Sequence, residues 1–144
     1  MLFTLRVGNV VTASDGGQAI DGLKLMGDNP VKAGVMSVHV VMSNWMMSLV
    51  DGLTLLRWLR EDKASPDRLM PFVMVSGGAD VDMTTNARVA GVTEFLAEQY
   101  SITGLISRLV AVIDNPRQFV LAPQYFGPYP RRQRLPHSAR ATCL

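Results

Sequence analysis

The sequence predicts an α/β domain in which a parallel sheet carries helices on its faces. Short apolar, β-branched runs alternate with stretches of helical periodicity. The breaks between them are rich in Gly, Asp, Asn, Ser and Pro. A length of 144 residues suits one domain plus a tail, since domains commonly run to about 100–150 residues.

Taken in order, residues 10–13 (VVTA) read as a strand, closed by the turn and helix-start cluster Ser14-Asp15-Gly16-Gly17. A helix follows over about residues 18–26, with Ala19, Ile20, Leu23 and Met26 as its buried stripe, and Gly27-Asp28-Asn29-Pro30 breaks it. Residues 38–42 (VHVVM) read as a buried central strand. After a loop from Asn44 to Val50, Asp51-Gly52 opens a helix whose Leu53, Leu55, Leu56 and Leu59 cover one wall, with Arg57 opposite. Residues 72–75 (FVMV) form the next buried strand, and Ser76-Gly77-Gly78 ends it. A weak, polar helix over about 81–90 leads through Gly91 to a short strand at 94–97. Ser101 is a good N-cap for the last helix, whose Ile102, Leu105, Ile106, Leu109, Val112 and Ile113 give the clearest amphipathic period in the chain. From Pro116 the period fails. That stretch reads as an extended tail packed through Phe119, Tyr125 and Phe126, with disorder expected from about Arg131. The division expected is a domain over 1–115 and a basic, Pro-rich tail over 116–144.

Charge and composition narrow the function classes. Through Asp114 there are nine Lys/Arg against twelve Asp/Glu, a body at −3, whereas the sequence from Asn115 onward has Arg117, Arg131, Arg132, Arg134 and Arg140 and contains no Asp or Glu. Five such charges give only weak, salt-sensitive attraction, so nucleic-acid recognition is not expected. No run of about 18 apolar residues exists, and no transmembrane helix is expected. The opening MLFTLRVGN, interrupted by Arg6, is too short for a signal peptide. The one cysteine, Cys143, has no internal partner, which fits a reducing, cytoplasmic setting. Met42, Met46, Met47, Met70, Met74 and Trp45 are expected as core filling and a loop anchor, not a soft-metal box. His39, inside a buried strand with no Cys or His at ligand spacing, is expected to be structural.

Several motifs share one order. Residues 38–52, ending Ser43-Asn44-Trp45-Met46-Met47-Ser48-Leu49-Val50-Asp51-Gly52, resemble an apolar strand followed by D-W-M-M-P-x-M-D-G. Ser14-Asp15-Gly16-Gly17-Gln18-Ala19-Ile20 is similar to A-x-D-G-x-E-A-L, and Ala90-Gly91-Val92-Thr93-Glu94-Phe95-Leu96 to A-G-V-T-E-F-L. Phe119-Val120, Tyr125-Phe126-Gly127-Pro128 and Arg131-Arg132 resemble an F-V-x-x-x-x-Y-F-G-P-D-R-R ending. Each is weak alone, but together they resemble the receiver domain of bacterial two-component response regulators, chemotaxis-regulator-like. That resemblance implies a flavodoxin-like doubly wound sheet of order 2-1-3-4-5.

The resemblance also implies a chemistry, and the chain departs from it at each reacting position. In the family an aspartate ending the third strand takes a phosphoryl group, two acids after the first strand hold Mg²⁺, and a lysine before a proline pairs with the phosphate. Asn44 stands at the nucleophile position; a neutral amide cannot form the acyl phosphate. Glu98 stands at the lysine position and repels an anion, with Gln99 after it in place of proline. Ser76 matches the Ser/Thr switch position and Phe95 the switch aromatic, without a hydroxyl. Asp51 is expected to be only a helix cap. No catalytic residue and no metal ligand is expected, and the Mg²⁺ of the family is expected to be lost.

At the front, the family needs a strand and helix of about 20–25 residues before Val10, within a unit of roughly 30. Nine residues precede it here. Aligned to the family, Leu2–Val7 is the end of the first helix, and the first strand is missing. Read locally, the same residues alternate like a strand, with Gly8-Asn9 as a hairpin turn. Neither reading supplies the acidic pair. Losing a central strand leaves an apolar gap unless its neighbours pair directly, a defect costing several kcal/mol. Low stability or a homodimer would follow.

The expectation is therefore a phosphorylation-incompetent receiver, not an enzyme, that binds a protein such as a histidine kinase or another regulator. Asn44, Trp45 and Tyr100 are the residues expected to meet a partner. The alternatives are a truncated remnant without activity, or an adaptor that touches an acidic partner through the basic tail.

Overall fold

Four aspartate and serine side chains fix where helices begin. Asp15 accepts from the Gln18 amide at 3.1 Å, Asp51 from Thr54 at 2.7 Å, Asp80 from Met83 at 2.6 Å and Ser101 from Gly104 at 3.0 Å. Each satisfies an amide that the first turn leaves without a partner. The computed structural model describes residues 9–33, 37–78, 80–97 and 99–129. Its helices are α1 (Gly16–Asp28), α2 (Pro30–Ala33), α3 (Gly52–Glu61), α4 (Val81–Val89) and α5 (Ile102–Asp114). The strands are β1 (Val41–Asn44), β2 (Phe72–Ser76), β3 (Glu94–Ala97), β4 (Phe119–Ala122) and β5 (Tyr125–Pro128).

β1, β2 and β3 form a parallel sheet in that order, with Val41 opposite Phe72, Asn44 opposite Val75, and Ser76 opposite Ala97. All five residues of β2 are buried, as a strand covered on both faces requires. Phe72 and Met74 turn to one face, where Leu23 of α1, Leu55, Leu56 and Leu59 of α3, and Ala87 of α4 meet them. Val73 and Val75 turn to the other, against Leu105, Leu109 and Val112 of α5. Each fully buried leucine contributes about 2 kcal/mol of transfer free energy. Helices on both faces of a parallel sheet make the architecture α/β and flavodoxin-like.

Several sequence readings need correction. Residues 10–13 form no strand, because the sheet edge that would pair with them is β1, and a cavity lies between. β1 starts at Val41, three residues late, so His39 is exposed and not in a buried strand. Met46 is 77% exposed and fills no core. On α5, Ile102, Ile106 and Ile113 stand out from the face that Leu105, Leu109 and Val112 bury. No second helix lies on that side of the sheet among the described residues to cover them.

The stretch expected to be extended after Pro116 contains an antiparallel hairpin of β4 and β5. It sits against the body where Gly91, at φ +88°, passes Gly127; a Cβ on either glycine would strike the backbone at the other. Arg60 holds the same corner. It is 1% exposed, and its guanidinium donates to the carbonyls of Gly91 (3.0 Å), Arg68 (2.9 Å) and Met70 (2.8 Å) while lying 5.0 Å from the Phe119 ring. Burial pulls its pKa down to about 10, opposed by the charge of Asp67. Buried Glu94 binds Arg108 and Arg117, tying β3 to α5 and to the approach to the hairpin. Leu2–Val7, and the Arg131–Arg140 part of the tail with Cys143, lie outside the described residues.

Candidate functional site

The carboxyl ends of three parallel strands form the edge where the sequence places its chemistry. Asn44 ends β1, Ser76 ends β2 one step beyond Asn44's partner Val75, and Ala97 ends β3 opposite Ser76. Asn44 is exposed; Ser76 is 6% exposed. The Ser76 hydroxyl donates to the Gly78 carbonyl at 3.2 Å, a bond within its own turn. Glu98 lies outside the described residues.

The loop after Asn44 is pinned at three points. The Trp45 amide donates to Val75 at 2.7 Å, the Gly52 amide to Trp45 at 3.0 Å, and the Gly16 amide to Val50 at 3.0 Å. Between these anchors the Val50 amide turns back onto the Ser48 carbonyl at 2.8 Å, with Leu49 between them at φ +64°. That is a three-residue γ-turn, a strained conformation for a residue with a side chain. Leu49 is 94% exposed, so no packing of its own side chain holds it there.

The aromatic residues divide between the sheet's faces. Trp45 and Phe95 pack together with ring centroids 6.4 Å apart, on the α1, α3 and α4 side. Tyr100 packs against the α5-side cluster that includes Val73, Val75 and Leu105. The structure therefore brings together Trp45 and Phe95 and sets Tyr100 across the sheet from them, while Asn44, two positions after Met42 in β1, falls on the face that Met42 and Tyr100 share. A strand reverses its side chains at each residue, so a face can be read from position only within the strand. Tyr100 follows β3 by three positions, outside that alternation.

The donor set does not fit a divalent cation. Asn44 offers a neutral amide oxygen, and Asp15 and Asp51 spend a carboxylate oxygen each on helix-start amides. Among the described residues, no group of three or more His, Cys, Asp or Glu side chains could hold a metal. Among the described residues, Ser76 has no carboxylate or imidazole as a hydrogen-bond partner; its hydrogen bonds run to the Gly78 peptide.

Sequence reasoning missed Arg60 and read Gly52 only as a helix opening, not as a close contact of β1. Arg60 follows Leu56 by four residues on the buried face of α3, a spacing visible on a helical wheel. The Gly52 contact depends on the return of α3 past β1, which no local pattern records.

Solved structures of similar shape are receivers. The Francisella response regulator 1452 receiver domain superposes with a TM-score of 0.62 at 22% identity, over 81% of this chain and 84% of its own. That decides the fold. This chain has a receiver fold, CheY-like in architecture. Vibrio cholerae chemotaxis protein CheY4 matches at TM-score 0.59 and 19% identity, covering 76% of this chain and 82% of its own. The CheX–CheY–BeF3–Mg²⁺ complex of Borrelia burgdorferi matches at 0.61 and 20%, over 77% and 75%. No family model matches the sequence, and no curated protein does. Among the described residues of this receiver fold, no helix is long and apolar enough to cross a membrane.

Proposed function

We propose that this receiver fold is a phosphorylation-incompetent binding module of two-component, phosphorelay signalling, acting in the cytoplasm and not as an enzyme. The observation that carries the reading is Asn44, exposed at the end of β1 in an otherwise intact loop frame. The frame that positions a nucleophile is present; the nucleophile is an amide. A receiver held in one state engages a partner through its surface without a phosphate to select that state. The partner class is a histidine kinase, a phosphotransfer protein or another regulator. Val81 and Val89 of α4, 81% and 64% exposed, with Ile102 and Ile106 of α5, supply apolar contact area.

Transfer of isotope-labelled phosphate from acetyl phosphate to the pure protein in Mg²⁺ tests this reading. No label is expected on the protein. Hydroxylamine-sensitive label would contradict it.

The cavity beside β1 favours a second reading, a fold whose sheet is left open at that edge among the described residues and that does not act alone. A broad, non-cooperative thermal transition with dye binding would support that reading. A sharp, cooperative melt would support the binding module.

A further inference from the structure

A cavity of about 350 Å³ lies beside β1, lined by residues of α1, of β1 and of the segment 11–13, with Leu55 of α3 among them. Its size limits what it holds. An apolar cavity of about 150 Å³ stays dry and takes a single benzene ring. The cavity beside β1 has room for two fused rings, and its volume falls at the small end of the range of about 300–1,000 Å³ common to small-molecule sites. Leu23 and Leu55, 5% and 2% exposed, belong to the core and also line the cavity, so part of its surface is core surface.

The lining side chains set the chemistry. Methionines reach the cavity from separate parts of the chain: Met26 from α1, Met42 from β1 and Met47 from the loop after β1. A thioether is polarizable and favours contact with an aromatic ring, and its unbranched chain adapts to the shape it meets. The Ser43 hydroxyl lies 3.7 Å from the Met47 sulfur and steadies it. Among the described residues that line the cavity, Asp15 alone is charged. Its carboxylate accepts from the Gln18 amide at 3.1 Å and from the Ser14 hydroxyl at 3.3 Å, as a helix cap. An anion would meet that carboxylate with no Lys or Arg in the described lining to offset it. Any ion would give up its hydration for mostly apolar contacts. We propose that this cavity is a binding site for an uncharged, bicyclic aromatic molecule.

The inference is independent of the reading of Asn44, and its test involves no phosphate. Indole is titrated into the isotope-labelled full chain. Saturable amide shifts are expected at Leu23, Met42, Met47 and Leu55, with a Kd on the order of 0.1–1 mM for a ligand of that size. Leu105 and Leu109, on the α5 face, are expected to stay unshifted. Indole-3-carboxylate, the same rings bearing a charge, is expected to bind on the order of tenfold more weakly. Ala19 lines the cavity, so Ala19→Phe puts a ring of the protein's own into it and is expected to abolish the shifts. No saturable shift in the parent would overturn the inference. So would equal shifts at Leu105 and Leu109, which mark non-specific partitioning, equal affinity for indole-3-carboxylate, or shifts that persist in folded Ala19→Phe. If Ala19→Phe does not fold, nuclear Overhauser contacts between the indole ring and the methyl groups of Met26, Met42 and Met47 in the parent decide: present, they support the site; absent, they exclude it.

Discussion

Gly52 lies so close to Asn44 that a Cβ on it would overlap the Asn44 carbonyl oxygen and crowd Met74 and Ser43. The glycine after Asp51 is therefore a packing requirement of the loop that frames the site, whatever chemistry residue 44 performs. Gly52→Ala is expected to lower stability by about 3 kcal/mol, since backbone cannot yield as a side chain can. The shift of the urea midpoint at unchanged slope measures it.

Arg60 is satisfied by carbonyls, not by a carboxylate at ion-pair distance. Replacing it by alanine strips two buried acceptors and one half-buried acceptor of their donor and opens the Phe119 contact, an expected loss of about 3 kcal/mol. Arg57, exposed on the same helix, serves as the control. Arg57→Ala is expected to change stability by no more than about 0.5 kcal/mol. Equal effects of the two substitutions would contradict the role assigned to the buried guanidinium.

Leu49 offers a stabilising change. At φ +64° its Cβ is strained, and its exposed side chain returns little burial. Leu49→Gly is expected to stabilise by about 1 kcal/mol. A higher melting temperature with an unchanged near-ultraviolet spectrum checks it.

Tyr125 gives the hairpin an alkaline sensitivity. Its hydroxyl donates to the Pro128 carbonyl at 2.6 Å, and burial raises its pKa above 10.0, opposed by the charges of Arg60 and Arg117. A raised native pKa means stabilisation fully present below the unfolded value and lost as pH climbs through the native one. Arg60 contributes with the opposite sign: with its native pKa lowered to about 10, it adds stability as pH rises above that value. The two are separated by difference. The advantage of the parent over Tyr125→Phe is expected to shrink as pH passes 10, and denaturant titrations across that range measure it.

What the sequence made legible was local. The leucines of α3, the caps Asp51 and Ser101, and the apolar run of β2 each announce themselves within a few residues. The failures were relational. Residues 10–13 have strand composition, yet a strand exists only when an edge pairs with it. Ile102, Ile106 and Ile113 have helical period, yet burial depends on what lies opposite. The β4–β5 hairpin turns on Pro123-Gln124, which carries none of the Asn-Gly type signal of a tight hairpin. At the site, Asn44, Trp45 and Phe95 were placed by motif order, whereas the position of Tyr100 across the sheet depended on the path of the chain after β3.

The central claim concerns what the end of β1 can hold. The most direct measurement is a joint titration of Mg²⁺ and beryllofluoride into isotope-labelled protein, with the amides of Asn44, Ser76 and Ala97 followed by resonance. An amide in place of a carboxylate predicts no saturable shift at any of the three. Saturable shifts that need both ions together would contradict the account.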